Sequence, residues 1–440
     1  MSNPSSQKPL KLGIAGLGTV GAGVVRLLQT NAQSVTHRAG RPIEIIAISA
    51  KNRDKNRGID LSHIQWYDNP LDLAADPNID IIVELIGGAN GIAHELVYAA
   101  LNANKGVVTA NKALIALHGN DLAKLAEQKK LPLLFEAAVA GGIPVIKTIK
   151  EALTADRLKR IGGILNGTCN YILTAMAKTG CQFDEILKET QELGYAEADP
   201  STDIDGFDAA HKLAILASLG FGHTINFKDV FVEGIRGINP CDLHYAQELG
   251  YVIKLVGMAQ QHKDNRIELR VHPALLPNDA PLARVNGVTN AVFTEGEFSG
   301  RLMLEGAGAG EGPTSTAVSA DIIDLARGNT IPMWGTDWNG LTPATVIPQS
   351  EFNKAYYIRL MVVDQPGVVA DIATILKEHH VSLRSLLQHG TITTQTQKEI
   401  VPIILVTHQT RENSLLQALE AIQKLPVITE KPVMIRIEEA

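Results

Sequence analysis

Cysteine and aromatic residues are scarce in this chain of 440 residues. Only three cysteines occur, Cys169, Cys181 and Cys241, and no two have CxxC spacing, which excludes a disulfide framework and a zinc ribbon. Aromatic residues make up 5% of the chain, whereas glycine occurs 38 times. That balance is typical of α/β enzymes, in which tight turns join strands to helices, rather than of all-β binding modules.

Long apolar runs and an excess of positive charge are also missing. No apolar stretch reaches the ~18 residues of a membrane span, and the polar segment Met1–Leu10 lacks the apolar core of a signal peptide, so we expect a cytoplasmic protein. Forty Lys and Arg against 47 Asp and Glu leave a net charge of −7, so we expect neither a nucleic-acid nor a membrane partner. With 45% hydrophobic residues the chain can bury large cores, and its length suggests about three domains.

Hydrophobic patterns divide the chain into parts. Residues 10–145 alternate short apolar runs with amphipathic stretches, which predicts a Rossmann-type α/β nucleotide domain. Residues 146–328 predict a mixed α+β domain whose last helix, Ala317–Arg327, returns to the first domain. Residues 329–354 contain several Pro and Gly and predict a linker. Residues 355–440 follow the order strand, helix, strand, strand, helix, strand, which predicts a ferredoxin-like fold.

A glycine motif follows the first predicted strand. Gly16-Leu17-Gly18-Thr19-Val20-Gly21 matches G-x-G-x-x-G between a strand and a helix. The first glycine permits a tight turn, the second lets the backbone approach a pyrophosphate, and the third lets helix and strand pack closely. The amides of Thr19 and Val20 would face the phosphates at the helix start. A glycine-rich turn that only packs is the alternative, and the flanking elements favour a dinucleotide cofactor.

The end of the second predicted strand bears on which cofactor is used. An NAD-selective site usually has an acid there to bond the ribose hydroxyls, whereas here Lys51 and Arg53 follow. Cations at this place could hold the 2′-phosphate of NADP. We therefore favour NADP, with NAD possible and a solvated basic turn as the alternative interpretation.

The segment Gly194–Lys212 is dense in charge. Asp208 and Lys212 are four residues apart on a predicted helix, so they share a face. An exposed salt bridge would explain the pair, but the helix continues with an apolar run, which places Lys212 near a buried boundary. A calcium loop centred on Asp203 and Asp205 fails, because its twelfth position would be Lys212 rather than Glu.

This segment resembles the homoserine dehydrogenase signature, and three other stretches resemble that family as well. The matching signature residues are Gly194, Glu197, Asp199, Pro200, Asp203, Gly206, Asp208 and Lys212, and the other stretches are Val108–Lys112, Leu165–Tyr171 and Glu305–Gly310. Thr190 departs from the longer pattern, which has Ala, but it precedes the charged set. Members of the family reduce L-aspartate 4-semialdehyde to L-homoserine with NAD(P)H, on the route to threonine, methionine and isoleucine. The chain begins almost directly at the nucleotide-binding strand, so we expect the form without an aspartokinase.

The resemblance implies roles for the charged residues. Lys212 would donate the proton to the substrate oxygen, and Lys112 would be a second catalytic lysine beside the cofactor, unless it is a solvent-facing lysine in a turn. Glu197 and Asp208 would bind the amino-acid end of the substrate, whose ammonium group suits carboxylates. Asp203 would orient Lys212 or the substrate. Two glycines would approach the cofactor with bare backbone: Gly194 and Gly310.

The resemblance also implies a monovalent cation site, which we expect to hold sodium. Glu136 would join the carbonyl oxygens of Val139, Gly141 and Ile143, since hard oxygen ligands suit a hard cation. Taken without the resemblance, this stretch is only a strand leaving the first domain.

The tail resembles an ACT domain, with Asp364–Gly367 at its first turn. ACT domains commonly bind amino acids between two copies, so the resemblance implies L-threonine as an effector and a homodimer or homotetramer. A tail that serves oligomerisation alone is the alternative.

Two other interpretations compete with homoserine dehydrogenase. One is a Rossmann oxidoreductase for a different amino-acid aldehyde or imine, and the other is a non-catalytic amino-acid or redox sensor. The segment from Glu197 to Lys212 argues against the first, and the presence of Asp208 and Lys212 argues against the second.

Overall fold

The first part of the chain forms a parallel sheet with helices packed on both faces. The computed structural model describes residues 7–224, 227–389 and 399–439. The strands of this sheet are β1 (Leu10–Ala15), β2 (Ile43–Ser49), β3 (Gln65–Tyr67), β4 (Ile81–Glu84), β5 (Gly106–Thr109) and β6 (Leu133–Leu134), and the helices are α1 (Thr19–Thr30), α2 (Ala32–Ala39), α3 (Leu71–Ala75), α4 (Ile92–Asn102) and α5 (Lys112–Lys129). Strand order is β3-β2-β1-β4-β5-β6 with parallel pairing, the doubly wound order of dinucleotide-binding domains. The predicted Rossmann-type domain is therefore confirmed.

The two faces of this sheet bury separate hydrophobic clusters, as expected for an interior parallel strand. Leu12 and Ile14 of β1 pack with Val24 and Val25 of α1, whereas Ala15 packs in the other cluster. The elements β3 and α3 were not predicted, because runs of three and five residues are too short to show a period.

The amphipathic pattern predicts a helix over Asn120–Lys129, whereas helix α5 begins earlier, at Lys112. It runs without interruption through Gly119, where an added Cβ would overlap the indole ring of Trp334. Glycine at this position weakens the sequence signal for a helix, but it lets the later tryptophan pack against the helix. The observed start places Lys112 in the first turn of α5.

The second part of the chain is an antiparallel sheet with helices. It contains α6 (Val145–Lys147), a π-helical turn (Thr148–Ala152), β7 (Leu158–Ile164), α7 (Gly167–Thr179), α8 (Phe183–Glu192), α9 (Ser201–Ile204), α10 (Phe207–Phe221), β8 (His223–Thr224), β9 (Phe231–Val232), α11 (Pro240–Glu248), β10 (Tyr251–Gln261), β11 (Arg266–Pro277), β12 (Thr289–Gly296), β13 (Gly300–Ala307) and α12 (Glu311–Arg327). The main strand order is β13-β12-β7-β10-β11. Helix α12 returns to the first sheet, as expected, since Val318 and Ile322 share the cluster of β1 and the Ser315 hydroxyl donates to the Val20 carbonyl (3.1 Å).

The segment 329–354, predicted as a linker, packs against both neighbouring parts. Met333, Trp334 and Leu341 are buried in the main hydrophobic cluster. Its two short strands, β14 (Thr342–Pro343) and β15 (Thr345–Val346), pair with β8 and β11. The domain boundaries at 145, 328 and 354 stay predictions.

The tail has the predicted order of elements. It contains β16 (Asn353–Val363), α13 (Val368–Glu378), β17 (Leu383–Leu387), β18 (Ile400–Thr407), a short β19 (Thr410–Arg411), α14 (Glu412–Gln423) and β20 (Val433–Ile437). Strand β20 pairs in parallel with β11, through Ala274–Arg436 and Leu275–Ile437, so the tail sheet continues the antiparallel sheet of the second part. Within the ranges described, none of the helices combines the length and apolar character needed to cross a bilayer.

Candidate active site

A cleft of about 940 Å³ lies between the first sheet and the second part of the chain. It is lined by residues from both sides, and many of them were predicted as site residues. Those predicted residues are Val20, Lys112, Gly141, Gly194, Glu197, Asp203, Asp208, Lys212 and Gly310. Residues as distant in sequence as Val20 and Gly310 therefore meet in one cavity of the size that holds a cofactor and a small substrate.

Lys212 projects from α10 into this cleft. The helix starts after Gly206, whose φ of +88° lies in the left-handed region, and it places Asp208 one turn before Lys212. The Lys212 ammonium donates to Asp208 Oδ2 (2.7 Å) and to the Leu165 carbonyl (2.7 Å), and its side chain is 9% exposed. The ammonium group is thus held in one position at the wall of the cleft.

Asp208 is shared between two lysines. Its Oδ1 lies 3.0 Å from the Lys112 ammonium, and its Oδ2 accepts from Lys212. Burial alone would raise the pKa of Asp208, but the two ammonium groups outweigh it and hold that pKa well below the usual range. The charge of Asp208 in turn raises the pKa of Lys112, against the opposing effect of burial. Asp208 is therefore ionised and Lys112 protonated at neutral pH.

Asn166 completes this polar cluster and was missed as a site residue. Its Nδ2 donates to Asp203 Oδ1 (2.7 Å) and to Asp208 Oδ2 (2.8 Å), while its Oδ1 accepts from Cys169 N at the start of α7 (2.8 Å). Burial and the neighbouring Asp208 charge raise the pKa of Asp203. The available sequence signal was an Asn followed by a helical pattern, which is typical of a helix cap.

Asn290 is a second residue that sequence reasoning missed. Its Nδ2 donates to the Leu165 carbonyl (3.0 Å), the same oxygen that accepts from Lys212. It lies 125 residues from Leu165 in the sequence, on β12, and only the antiparallel pairing of β12 with β7 brings them together. No local pattern could have found it.

The predicted substrate residues occupy different depths of the cleft. Asp208 is buried at the floor, whereas Glu197 is exposed at the rim. Gly194 has a φ of +75° with open space where a Cβ would stand. Beside it the Tyr195 carbonyl accepts from the Thr168 hydroxyl (2.9 Å). The rim is thus formed by the loop before α9 and by the first turn of α7.

The glycine motif has the geometry that a pyrophosphate requires. A Cβ on Gly16 would overlap the Leu85 carbonyl, and a Cβ on Gly21 would overlap the Gly16 carbonyl, so both positions need glycine. Gly18 instead has nothing within 4 Å of its Cβ position, and it precedes α1 without a side-chain cap. The open side and the uncapped helix start fit the close approach of a dinucleotide phosphate.

The basic loop after β2 lies against this motif. Lys51 and Arg53 are exposed, and neither forms an ion pair with a described residue. Arg57, which was not predicted, donates to the Leu17 carbonyl (3.0 Å) and to the Asn52 carbonyl (2.5 Å), so it ties the loop to the glycine turn. Arg53 and Arg57 also stack over Trp66, at 5.9 and 5.7 Å from the ring centroid. The contacts of Arg57 therefore keep this basic loop beside the glycine turn.

A second glycine-rich turn closes the other side of the cleft. Gly310 (φ +113°) precedes α12, and Gly142 N donates to the Ala307 carbonyl (3.0 Å). A Cβ on Gly141 would overlap the Gly308 carbonyl, so the two loops touch through bare backbone. Gly141 is thus required for packing whether or not it binds a cation.

The predicted cation ligands fit only in part. Both carboxylate oxygens of Glu136 accept backbone amides, from Ile146 (3.0 Å) and Lys147 (2.8 Å), and the Ile143 carbonyl accepts from Val145. Burial, followed by the charge of Asp321, raises the pKa of Glu136 to about 8. Among the described residues, no hydrogen-bond donor contacts the carbonyl oxygens of Val139 or Gly141. These two oxygens are therefore the ones that fit a cation. No cluster of three or more His, Cys, Asp or Glu suited to a metal occurs among the described residues.

The fold and the cleft together define a nicotinamide-dependent oxidoreductase. Family models match over most of the chain: the NAD-binding domain of homoserine dehydrogenase over residues 16–136, the homoserine dehydrogenase domain over 144–323, and an ACT domain over 356–427. The chain therefore belongs to the homoserine dehydrogenase family, whose members are oxidoreductases acting on a CH–OH group.

Individual relatives agree with this assignment. The homoserine dehydrogenase of Pseudomonas aeruginosa is 44% identical over 438 residues, which covers 98% of this chain and 99% of that protein. The crystal structure of a homoserine dehydrogenase from Thiobacillus denitrificans has a TM-score of 0.92 at 43% identity, covering 98% of this chain and 99% of that one. A hyperthermophilic archaeal homoserine dehydrogenase in complex with NADPH has a TM-score of 0.62 at 27% identity, covering 72% of this chain and 97% of that one.

Proposed function

We propose that the chain interconverts L-homoserine and L-aspartate 4-semialdehyde with NADP, and that Lys212 transfers the proton. The observation that carries this proposal is the Lys212 ammonium, fixed by Asp208 and Leu165 in a cleft that also contains the glycine turns. The reaction would supply threonine, methionine and isoleucine synthesis. A cytoplasmic location remains part of the proposal.

The proposed chemistry needs one proton and one hydride for each aldehyde reduced. When bound, the reduced nicotinamide supplies the hydride to the aldehyde carbon. Lys212 stabilises the negative charge that develops on the aldehyde oxygen and then protonates it, giving the alcohol. Asp208 keeps the ammonium aimed at this oxygen, and Lys112, paired with the other oxygen of Asp208, adds a second positive charge at the same wall.

Substrate recognition is assigned to the carboxylates. The ammonium of homoserine would bind Glu197 at the rim together with Asp208, and Asp203 would orient the substrate or Lys212 through Asn166. Gly194 and Gly310 would approach the cofactor with bare backbone, because both carry positive φ angles beside the cleft.

The preference for NADP is attributed to Lys51 and Arg53. They are exposed cations on a loop that Arg57 ties to the glycine turn, and Arg57 is a third candidate for the 2′-phosphate. NAD remains a possible second cofactor, and comparing the two Michaelis constants decides the question.

Sodium is proposed as an activating cation bound by backbone oxygens of Val139 and Gly141. Glu136 and Ile143 complete the set of cation ligands expected from the family, although the Glu136 carboxylate accepts hydrogen bonds from two backbone amides. Replacing sodium by a bulky organic cation at constant ionic strength should lower activity. Equal activity in both salts would remove the cation from the proposal.

L-Threonine is proposed as an effector of the ACT domain in a homodimer or homotetramer. The test is a threonine titration of the full chain. A truncated chain that ends at residue 350 is unsuitable, because it would lack β20, which pairs with β11. We expect L-threonine to inhibit the reaction and L-valine at the same concentration to have no effect. Unchanged activity would leave the tail with oligomerisation alone.

The direct test of the activity is oxidation of L-homoserine with NADP, followed by the absorbance of the reduced cofactor. L-Serine, one methylene shorter, is the control substrate and should give a much lower rate. Folded protein that gives no signal with homoserine at any pH would favour the non-catalytic sensor instead.

A further inference from the structure

A short segment, residues 231–236, lies between the active site and the ACT domain. It begins as β9, which pairs with Arg270 and Val271 of β11, and it continues as a loop that enters a turn at Ile235 before α11. We call it the bridging segment. Its two sides contact different parts of the molecule.

One side of the bridging segment contacts the C-terminal end of α9, the short helix that carries Asp203. Ile235 N donates to the Ile204 carbonyl (2.8 Å), and the Arg236 guanidinium donates to Asp205 Oδ2 (3.0 Å). A Cβ on Gly234 would overlap the Ile204 carbonyl, so the two backbones are in direct contact. Movement of the bridging segment would therefore move Asp203 and the start of α10.

The other side of the bridging segment contacts the ACT domain. The Arg436 guanidinium of β20 donates to Glu233 Oε2 (2.7 Å) and is 1% exposed. Its remaining nitrogens bind the carboxylate of Glu412 at the start of α14. The Phe231 ring packs under the guanidinium, at 4.7 Å from its centroid. Arg436 is thus fixed by the ACT domain and holds the bridging segment from there.

We propose that Glu233 and Arg436 are positioning residues for the dehydrogenase reaction. Their ion pair connects the ACT sheet to the bridging segment, and the bridging segment fixes Asp203 and the first turn of α10. The ACT domain then contributes to the geometry of the substrate site even without an effector, and a ligand that shifts β20 would act on the same contact. This inference rests on the proposed function, because it assigns Asp203 to the substrate site.

The test compares two Glu→Gln variants of the full chain. Glu233→Gln removes the charge facing Arg436 but leaves Glu412 to neutralise it, and the Glu233 side chain is 42% exposed, so folding should survive. Glu248→Gln is the matched control, because Glu248 also pairs with the ACT domain, through His389 (2.8 Å), but is not part of the bridging segment. We expect Glu233→Gln to raise the KM for L-homoserine roughly three- to thirtyfold, with the KM for NADP unchanged. Glu248→Gln should change neither constant, and Glu233→Asp should recover part of the loss.

Amide hydrogen exchange provides a readout that does not need turnover. Peptides covering residues 199–208 should exchange faster in Glu233→Gln than in the wild type, while peptides of α1 should not change. Unaltered exchange over 199–208, or equal kinetic effects in the Glu248→Gln control, would overturn the inference. A wild type without homoserine oxidation contradicts the proposed function, whereas an active wild type with an unaffected Glu233→Gln contradicts this inference alone.

Discussion

Asp208 and Glu438 are two buried carboxylates that each contact two cationic side chains, but their partners differ. Asp208 lies at the cleft floor between Lys112 and Lys212, whereas Glu438 lies at the junction of the catalytic and ACT sheets, 2.8 Å from Arg270 and 3.6 Å from Lys354. In both, burial opposes ionisation and the cations outweigh it, so both pKa values are held well below the usual range. The shared electrostatics therefore cannot by themselves identify the active site.

The partners and their access to solvent do distinguish the two clusters. Lys112 is 39% exposed to the cleft, whereas Arg270 is 1% exposed and also binds Glu268. A lysine ammonium can give up a proton, while a guanidinium stays charged and binds carboxylates with a rigid fork. Asp208 with its two lysines is thus suited to proton transfer, whereas Glu438 with Arg270 is suited to holding the two sheets together.

Between the two carboxylates, the larger effect on activity is expected from Asp208→Asn. Loss of the carboxylate leaves both lysines without their common counterion, and the Lys212 ammonium loses its charged acceptor while keeping the Leu165 carbonyl. We expect kcat/KM for L-homoserine to fall roughly 10²- to 10⁴-fold, with NADP binding retained. The measurement is steady-state kinetics together with NADP titration by fluorescence, and a loss of less than tenfold would place Asp208 outside the catalytic cluster.

Glu438→Gln should lower the stability of the protein and leave its activity nearly unchanged. It removes one carboxylate from a dry site and leaves Arg270 and Lys354 partly uncompensated, so the free energy of unfolding should fall by about 3 kcal/mol. The kcat of the folded enzyme should stay near the wild-type value. Denaturant unfolding measures the change, and Glu439→Gln, at an exposed neighbouring position, is the control. A folded Glu438→Gln protein with strongly reduced kcat would erase the distinction between the two clusters.

The pH dependence of stability should report the Asp208 pairing. Because its folded pKa lies below the unfolded one, the stability that Asp208 provides is complete above about pH 5 and is lost as the pH falls through the folded pKa. The difference in unfolding free energy between the wild type and Asp208→Asn should therefore shrink by about 2 kcal/mol as the pH falls from neutral to strongly acidic values. A difference that does not vary with pH would mean that the lysines do not stabilise the ionised carboxylate.

The smallest effect is expected at the basic loop after β2, which lies outside the surroundings of both carboxylates. Replacing Lys51 and Arg53 together by Gln should raise the KM for NADP about tenfold by removing charged partners of the 2′-phosphate, while the KM for NAD stays similar. Lys124→Gln, on an exposed position of α5, is the control. Equal changes for both cofactors would show that the loop does not select NADP.

Sequence patterns brought the residues around Asp208 together better than those around Glu438. Asp203, Asp208 and Lys212 lie within ten positions, so a local pattern places them together, and the glycine motif needs only its own strand and helix. Asn166, Asn290 and the Glu438 cluster depend on contacts across 37 to 168 positions. Such contacts follow from strand pairing, which hydrophobic periodicity does not determine.

Element boundaries show the same limit. Helix α5 was predicted eight residues too short, because Gly119 lowers helix propensity and its packing against Trp334 is a distant contact. The direct pairing of β20 with β11 was not predicted either, since the Pro- and Gly-rich stretch before the tail resembles a linker.

The proposed mechanism depends on proton transfer by Lys212, which Asp208 holds in place. Its most direct test is single-turnover oxidation of L-homoserine by Lys212→Ala, with NADP binding measured on the same sample. NADP should bind as tightly as in the wild type, whereas the reduced cofactor should not form. Near-normal formation of the reduced cofactor in this variant would contradict it.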